Sequence, residues 1–428
     1  MPVTAVIGVQ WGDEGKGKMV DYLSEKADLV IRYQGGSNAG HTIVNERGTF
    51  KFRLIPSGIC YPRVRCLLGP GTAVDPGVLL GELADLQSRG VATDGLFVAE
   101  RATLVMPWHV ALDRLEEEAR GENKIGTTLK GIGPAYTAKA ARRGIQVGDL
   151  LEKDWLAEKV SWALESVNPA MTQIYGAPAV DAAEVTELYW NYGQQLKERI
   201  TDSLALVRGA LARRERILLE GQLGVLRDPD WGTYPYATSS SPLAGSASVG
   251  AGIPPWEIKE IMGVAKAYIT AVGGGPFPSE DTGEMGDYLR TKGNEYGVVT
   301  GRPRRCGWFD AVATRFSVEA AGVTGIGLTK LDVLDGLAEV KICTGYRIDG
   351  QVVSTVPPLR LLRKAEPIFE TMPGWKGSTS HARSIEHLPP AAANYVKRIE
   401  RLVGVPVRIL SVGPERSATF TVNTALVG

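Results

Sequence analysis

VTAVIGVQWGDEGKGKMVDYL, residues 3–23, reads as strand, glycine loop and helix. Val3 to Val9 is an apolar run of strand length, Gln10 to Gly15 a turn, and Lys16 to Lys26 places Met19, Val20 and Leu23 at helical spacing. Backbone N–H groups of such a loop, together with the helix N-terminus, cradle anions. A lysine there reaches a terminal phosphate. The spacing departs from G-x-x-x-x-G-K-[ST]: Gly8 to Gly15 is two residues longer, and Gly17 stands where a hydroxyl residue holds Mg²⁺. Asp13 is therefore the candidate metal ligand. An ordinary tight βα turn accounts for glycines, but not for two acids and two lysines set among them.

Working outward, the strand candidates are Asp28–Tyr33, Val64–Leu68, Leu96–Ala99, Arg216–Glu220, Gly322–Leu328, Val340–Tyr346 and Val405–Val412. Helical patterns occupy Val78–Arg89, His109–Arg120, Val180–Ala212, Pro255–Ala271 and Ala391–Val403. This alternation predicts an α/β fold with a P-loop-NTPase-like, mostly parallel central sheet flanked by helices. Asp349-Gly350 signals a β-hairpin, and Asn45–Gly48 a second. No composition shift marks a boundary, so residues 1–428 are expected to form a single domain with insertions, mainly helical over roughly 100–210.

Composition narrows the function classes. Glycine is 51 of 428 residues, about 12% against roughly 7% in average proteins. Lys plus Arg equals Asp plus Glu at 48 each, which argues against a general nucleic-acid binder. No apolar run reaches the roughly 18 residues of a membrane span. The start carries no basic segment ahead of an apolar one, and the four cysteines are scattered, so a cytoplasmic protein without disulfides is expected.

Further clusters carry chemistry. Gln34–Thr42, a small and polar loop after a strand, ends on His41, whose ordinary pKa of about 6.5 suits acid or donor work. Thr329-Lys330-Leu331-Asp332 matches the [NT]-K-x-D with which P-loop GTPases read guanine: the carboxylate accepts from N1–H and the 2-amino group. Arg302, Arg304 and Arg305 suit bidentate capture of carboxylate or phosphate. Ile125–Pro134, with Arg142 and Arg143, suggests another phosphate site; Trp231–Ser240 is a hydroxyl-rich loop. Together these imply a guanine nucleotide, a metal, a second phosphorylated ligand and an acid–base pair.

QWGDEGKGK at 10–18, YQGGSNAGHT at 33–42, GTT…GIGPAY at 126–136, GTYPYATSS at 232–240, GPFPSE at 275–280, TGRPRRCGW at 300–308, TKLDVLDGL at 329–337 and ETMPGW at 370–375 together resemble the adenylosuccinate synthetase family. The resemblance implies a GTP-dependent ligase of AMP biosynthesis joining IMP and L-aspartate into adenylosuccinate, GDP and phosphate through a 6-phosphoryl intermediate. It implies one Mg²⁺ per active site, held by Asp13 and the Gly40 carbonyl. Asp13 takes the N1 proton of IMP and His41 is the acid. Gly12, Asp13, Glu14, Gly15, Lys16, Gly17, Lys18, Gly40, His41 and Thr42 hold the GTP phosphates. Lys330, Leu331, Asp332, Ser411, Val412 and Gly413 surround guanine. Asn38, Thr128, Thr238 and Arg302 contact IMP, with Arg142 reaching it across a homodimer interface. Val299, Thr300, Gly301, Arg302 and Arg304 form the aspartate loop, and Arg304 also touches GTP.

The family's E-G-A-Q-G reads Glu220-Gly221-Gln222-Leu223-Gly224 here, which places Leu223 at an IMP-contacting glutamine and leaves Gln222 as its candidate replacement. Two other readings stand beside the ligase: a guanine-nucleotide-binding regulatory module, and a synthetase of the same family acting on another 6-oxopurine nucleotide such as dGMP. None involves nucleic acid or a membrane.

Overall fold

The computed structural model describes residues 3–297 and 301–422. Its centre is a ten-stranded sheet made from β1 (Val3–Gly8), β2 (Leu29–Arg32), β3 (Arg65–Leu68), β4 (Leu96–Ala99), β5 (Ile200–Thr201), β6 (Ile217–Gly224), β7 (Ile258–Lys266), β8 (Gly325–Thr329), β9 (Val407–Ser411) and β10 (Thr419–Thr421). The spatial order is β10-β9-β8-β7-β1-β6-β2-β3-β4-β5. Neighbours run parallel except β10, which pairs antiparallel with β9. The expected α/β architecture, a mostly parallel sheet flanked by helices, is thus present.

All six residues of β1 are buried. Ala5, Ile7 and Val9 enter the core on one face, and Val6 enters the core on the other with Met19 and Val30. A strand covered on both faces reads as continuous apolar sequence. That explains the longest strand misread as a helix. Beyond a short 3-10 turn at Pro255–Glu257, the segment 255–271 is not helical: Ile258–Lys266 is β7, wedged between β1 and β8. Its apolar residues happen to fall at helical spacing, and periodicity cannot separate a doubly buried strand from a buried helix. Gly263 permits the fit, because a Cβ there would lie 2.7 Å from Val9 Cγ1.

Helix α1 (Lys16–Ser24) follows the glycine loop directly. The mainly helical stretch holds α3 (Pro107–Ala119), with α2 (Pro76–Ser88) ahead of it, then α4 (Ile132–Ala140), α5 (Lys153–Pro169), α6 (Ala182–Leu196) and α7 (Ser203–Ala212). The single helix expected over Val180–Ala212 is two, separated by β5. Asp202 restarts the helix by accepting from the N–H groups of Leu204 and Ala205. Both hairpins form. His41–Asn45 pairs with Gly48–Phe52, and Asp349 and Gly350 take φ of 48° and 82° between paired Ile348 and Gln351. Among the described residues no helix is long and apolar enough to cross a membrane.

Buried His109 in the first turn of α3 accepts the Met106 N–H on Nδ1 at 3.1 Å. Burial pulls its pKa down to about 3. The folded state therefore requires neutral imidazole, whereas the unfolded chain takes a proton below about 6.5. Stability should fall as pH drops from 6.5 toward 3, by about 2 kcal/mol at pH 5 from this residue. His109→Gln should flatten that part of a denaturant-unfolding pH profile; an unchanged slope would contradict the assignment.

Candidate active site

In a parallel sheet the loops after the strands open at one edge, where ligands of α/β proteins bind. Here the loops after β1, β2, β6, β8 and β9 converge on a cleft of about 700 Å³. Asp13, Gly15, Lys16, Gly17 and Lys18 enter it from the first loop, and Gly40, His41 and Thr42 from the second. Gln222 and Leu223 line it from β6, Lys330 and Asp332 from the β8 loop, and Ser411 and Gly413 from the β9 end, with Arg304 opposite. Gly12, Glu14, Asn38, Thr128, Arg142, Thr238, Gly301, Arg302, Leu331 and Val412 are not on its lining, while Val299 and Thr300 lie outside the described residues.

The first loop is shaped from within. Glu14 is fully buried: Oε1 accepts the N–H groups of Gln10 at 3.1 Å and Gly12 at 2.9 Å, and Oε2 pairs with Lys16 Nζ at 2.6 Å. The Glu14 carboxylate thus shapes the loop from within. Asp13 takes a left-handed φ of 59°, which Asp tolerates better than most residues. Gly17 is required for a reason far along the chain: a Cβ there would sit 2.5 Å from His41 Cδ2. The hydroxyl residue of other phosphate loops has no room beside this imidazole.

His41 Nε2 lies 3.0 Å from Ser57 Oγ and 3.6 Å from Glu220 Oε1, and its ring packs edge-on to Phe52. Glu220 also accepts from the Ser57 N–H at 3.0 Å and hydroxyl at 3.2 Å. Burial, with the charges of Arg32 and Lys16, lowers the His41 pKa to about 3, while burial raises that of Glu220. Both shifts favour the uncharged form of the group concerned.

Across the cleft, Arg304 Nε sits 2.7 Å from Asp13 Oδ2 as a close ion pair off hydrogen-bond alignment, and its Nη1 donates to Glu295 Oε2 at 2.7 Å. Glu295 is fully buried and also takes Lys266 at 2.8 Å, Lys330 at 2.8 Å and the Tyr268 hydroxyl. Burial opposes its charge, but Lys266, Lys330 and Arg304 outweigh that and hold the carboxyl far below the usual range. Lys18 bonds to Ser411 Oγ and the Gly413 carbonyl, which ties the phosphate loop to the β9 end. Asp332 Oδ1 is buried without a partner among the described residues, and burial raises that carboxyl's pKa.

Sequence reasoning missed Glu295, Glu220, Ser57, Arg32 and Lys266. Glu295 had a weak signal: an acid after Gly293-Asn294, just ahead of the arginine loop. It also missed two carboxylates one turn apart on α3. Glu117 accepts the N–H groups of Ile125, Gly126 and Thr127, and Asp113 takes the Thr127 hydroxyl and the Gly131 N–H. They hold the 125–131 loop that carries Thr128. Among the described residues no three His, Cys, Asp or Glu side chains gather to hold a metal alone.

The family described as adenylosuccinate synthetase matches residues 5–420. Adenylosuccinate synthetases of Carboxydothermus hydrogenoformans and Moorella thermoacetica are each 50% identical to this chain over 99% of it, covering 99% and 100% of their own lengths. The solved structure of fully ligated adenylosuccinate synthetase from Plasmodium falciparum superposes with a TM-score of 0.92 at 34% identity, over 98% of this chain and 100% of that one. A cyanophage S-2L succinoaminodeoxyadenylate synthetase bound to dGMP and dATP shares the fold at 20% identity and a TM-score of 0.62, over 98% and 95% of the two chains. On the length and identity of these matches, the chain belongs to the adenylosuccinate synthetase family.

Proposed function

We propose that this cleft performs the family reaction, joining IMP to L-aspartate with GTP to give adenylosuccinate, GDP and phosphate, by way of IMP phosphorylated on O6. The observation that carries it is the unpartnered, buried Asp332 Oδ1 in the same cleft as Asp13, His41 and the glycine loop. An acceptor left unpaired in the interior costs free energy that guanine's N1–H and 2-amino donors relieve. A guanine site alone would suit a regulatory module, but Asp13 and His41 face the phosphate end as a base and a donor. Family membership also favours the ligase.

In this reading Asp13 accepts the N1 proton, and the freed electron pair makes O6 the nucleophile toward the γ-phosphorus as the bond to GDP breaks. His41 donates toward the transferring group; the negative charge of bound phosphates, beside Lys16, counters the burial that keeps the imidazole neutral. Aspartate's amine then attacks C6, the C6–O6 bond breaks, and phosphate and a proton leave. Arg304 must trade its contact with Asp13 for ligand before Asp13 can act. Asp13 and Gly40 both line the cleft, and the Asp13 carboxylate and the Gly40 carbonyl are oxygen donors of the type that would hold Mg²⁺. Bound there, Mg²⁺ would neutralise phosphate charge. Asn38, Thr128 and Thr238 are proposed around IMP. Exposed Arg142, left-handed at φ 63° beyond α4, is proposed to reach a partner's site in a homodimer. A cytoplasmic location is proposed with this metabolism.

The test is GTP turnover with Mg²⁺, comparing IMP, GMP and dGMP with and without aspartate. Turnover should need both IMP and aspartate; GTP hydrolysis independent of them, or preference for dGMP, would overturn the reading. For the base site, Asp332→Asn replaces one of two acceptors with a donor. It should raise KM for GTP about 10- to 100-fold and improve xanthosine triphosphate relative to GTP. An unaltered preference would remove Asp332 from guanine recognition.

A further inference from the structure

The side chain of Gln222 enters a chain of hydrogen bonds whose polarity has one solution. Its Oε1 lies 2.6 Å from Arg32 Nη2 and 2.9 Å from the Gly36 N–H, and both of those groups only donate. The atom facing them must be the amide oxygen. Nε2 is thereby turned to Asn38, 2.9 Å from its Oδ1. Since Nε2 only donates, Asn38 must answer with oxygen, and the Gly36 N–H at 3.3 Å demands the same atom. Asn38 Nδ2 is left outward as a donor, with no acceptor among the described residues and no place among the buried unpaired atoms. Gln222 and Arg32 are buried, so solvent does not compete with this order. The local backbone makes room for it: Gly35 is left-handed at φ 78°, and a Cβ there would fall 1.6 Å from Gln222 Oε1. Neighbouring Leu223, itself at φ 62°, lines the cleft and has no polar side-chain atom to offer a ligand.

We propose that Gln222 is a positioning residue that locks the Asn38 amide with its NH₂ toward an anionic substrate group, so that Gln222 governs IMP affinity without touching IMP. The proposal rests on the reading of Asn38 as an IMP contact. Its phosphate, or any oxygen acceptor at that place, meets a donor because Arg32 dictates the Gln222 rotamer and Gln222 dictates that of Asn38. Gln222 Oε1 is taken by two donors within the protein, and Nε2 spends one of its two hydrogens on Asn38, so the effect on Asn38 requires no direct contact between Gln222 and the ligand.

Gln222→Glu tests this with little change of shape. One carboxylate oxygen keeps Arg32 and the Gly36 N–H; the other faces Asn38 and accepts where Nε2 donated. Asn38 must then turn its NH₂ inward and offer oxygen to the substrate. KM for IMP should rise about tenfold or more, with kcat at saturating IMP, KM for GTP and the melting temperature little changed. Asn38→Ala should raise KM for IMP by itself, and adding Gln222→Glu to it should do nothing more, because the relay is already cut. Equal effects of Gln222→Glu with and without Asn38, or no effect in the presence of Asn38, would overturn the relay while leaving the site intact. An unchanged KM for IMP in Asn38→Ala overturns both the relay and the reading of Asn38. Should Gln222→Glu not fold, Gln222→Ala supports the same cycle: it leaves Asn38 only the 3.3 Å donor, and a rise of about threefold should vanish in the Asn38→Ala background.

Discussion

Asp13→Asn should lower kcat by about a thousandfold or more while leaving the fold in place. The choice of Asn follows from the backbone. Asp13 sits at φ 59°, where Ala would add strain and Asn does not. The substitution keeps size and polarity but removes the charge that, in the proposed reaction, accepts a proton and attracts Mg²⁺. General-base action alone is worth about 10²- to 10⁴-fold, and loss of a metal ligand adds to it. The ion pair with Arg304 is also lost. Arg304 keeps Glu295, so the melting temperature should move by only a few degrees. Residual activity above a tenth of the parent's would remove Asp13 from the role of base.

His41→Asn should cost about 10²- to 10³-fold in kcat with little change in KM for GTP, because in the proposed reaction its contact forms with the transferring phosphoryl group rather than with the resting nucleotide. The imidazole is held for this task by Ser57, which is itself held by Glu220, and by the bare face of Gly17. Asn is too short to fill the space against Gly17 and Phe52, so some stability is lost as well. Single-turnover measurements of GDP formation separate the two effects: a variant that is folded yet transfers the phosphoryl group at the parent's rate would exclude His41 from the step.

Strand β1, the glycine loop and α1 were readable because each follows from local chemistry: an apolar run, residues free to take positive φ, and helical spacing. The hairpin at Asp349-Gly350 and the strand Leu96–Ala99 were readable for the same reason. The stretch 255–271 was not, since a strand buried on both faces carries no alternation to distinguish it. The break between α6 and α7 had a local sign, the capping Asp202, that the long apolar pattern hid. At the site, Asp13, Lys16, His41, Lys330 and Asp332 lie in motifs whose spacing has a chemical meaning, and they line one cleft. Glu14 lies in the same motif, and its carboxylate is buried against the loop backbone and Lys16.

By itself the sequence determined the class of fold, the kind of ligands and the family, because these depend on short segments with strong local signatures. Only the tertiary structure decided which polar groups are already paired. It shows Glu295 occupied by four donors, Gln222 occupied by Arg32, Gly36 and Asn38, and Asp332 Oδ1 still unpaired. It also shows that Gly17 is glycine because of His41. The physical reason is common to all of these. A hydrogen bond or a close contact is decided by donors, acceptors and atoms that the fold brings together from distant segments, and residue order along the chain does not record those meetings.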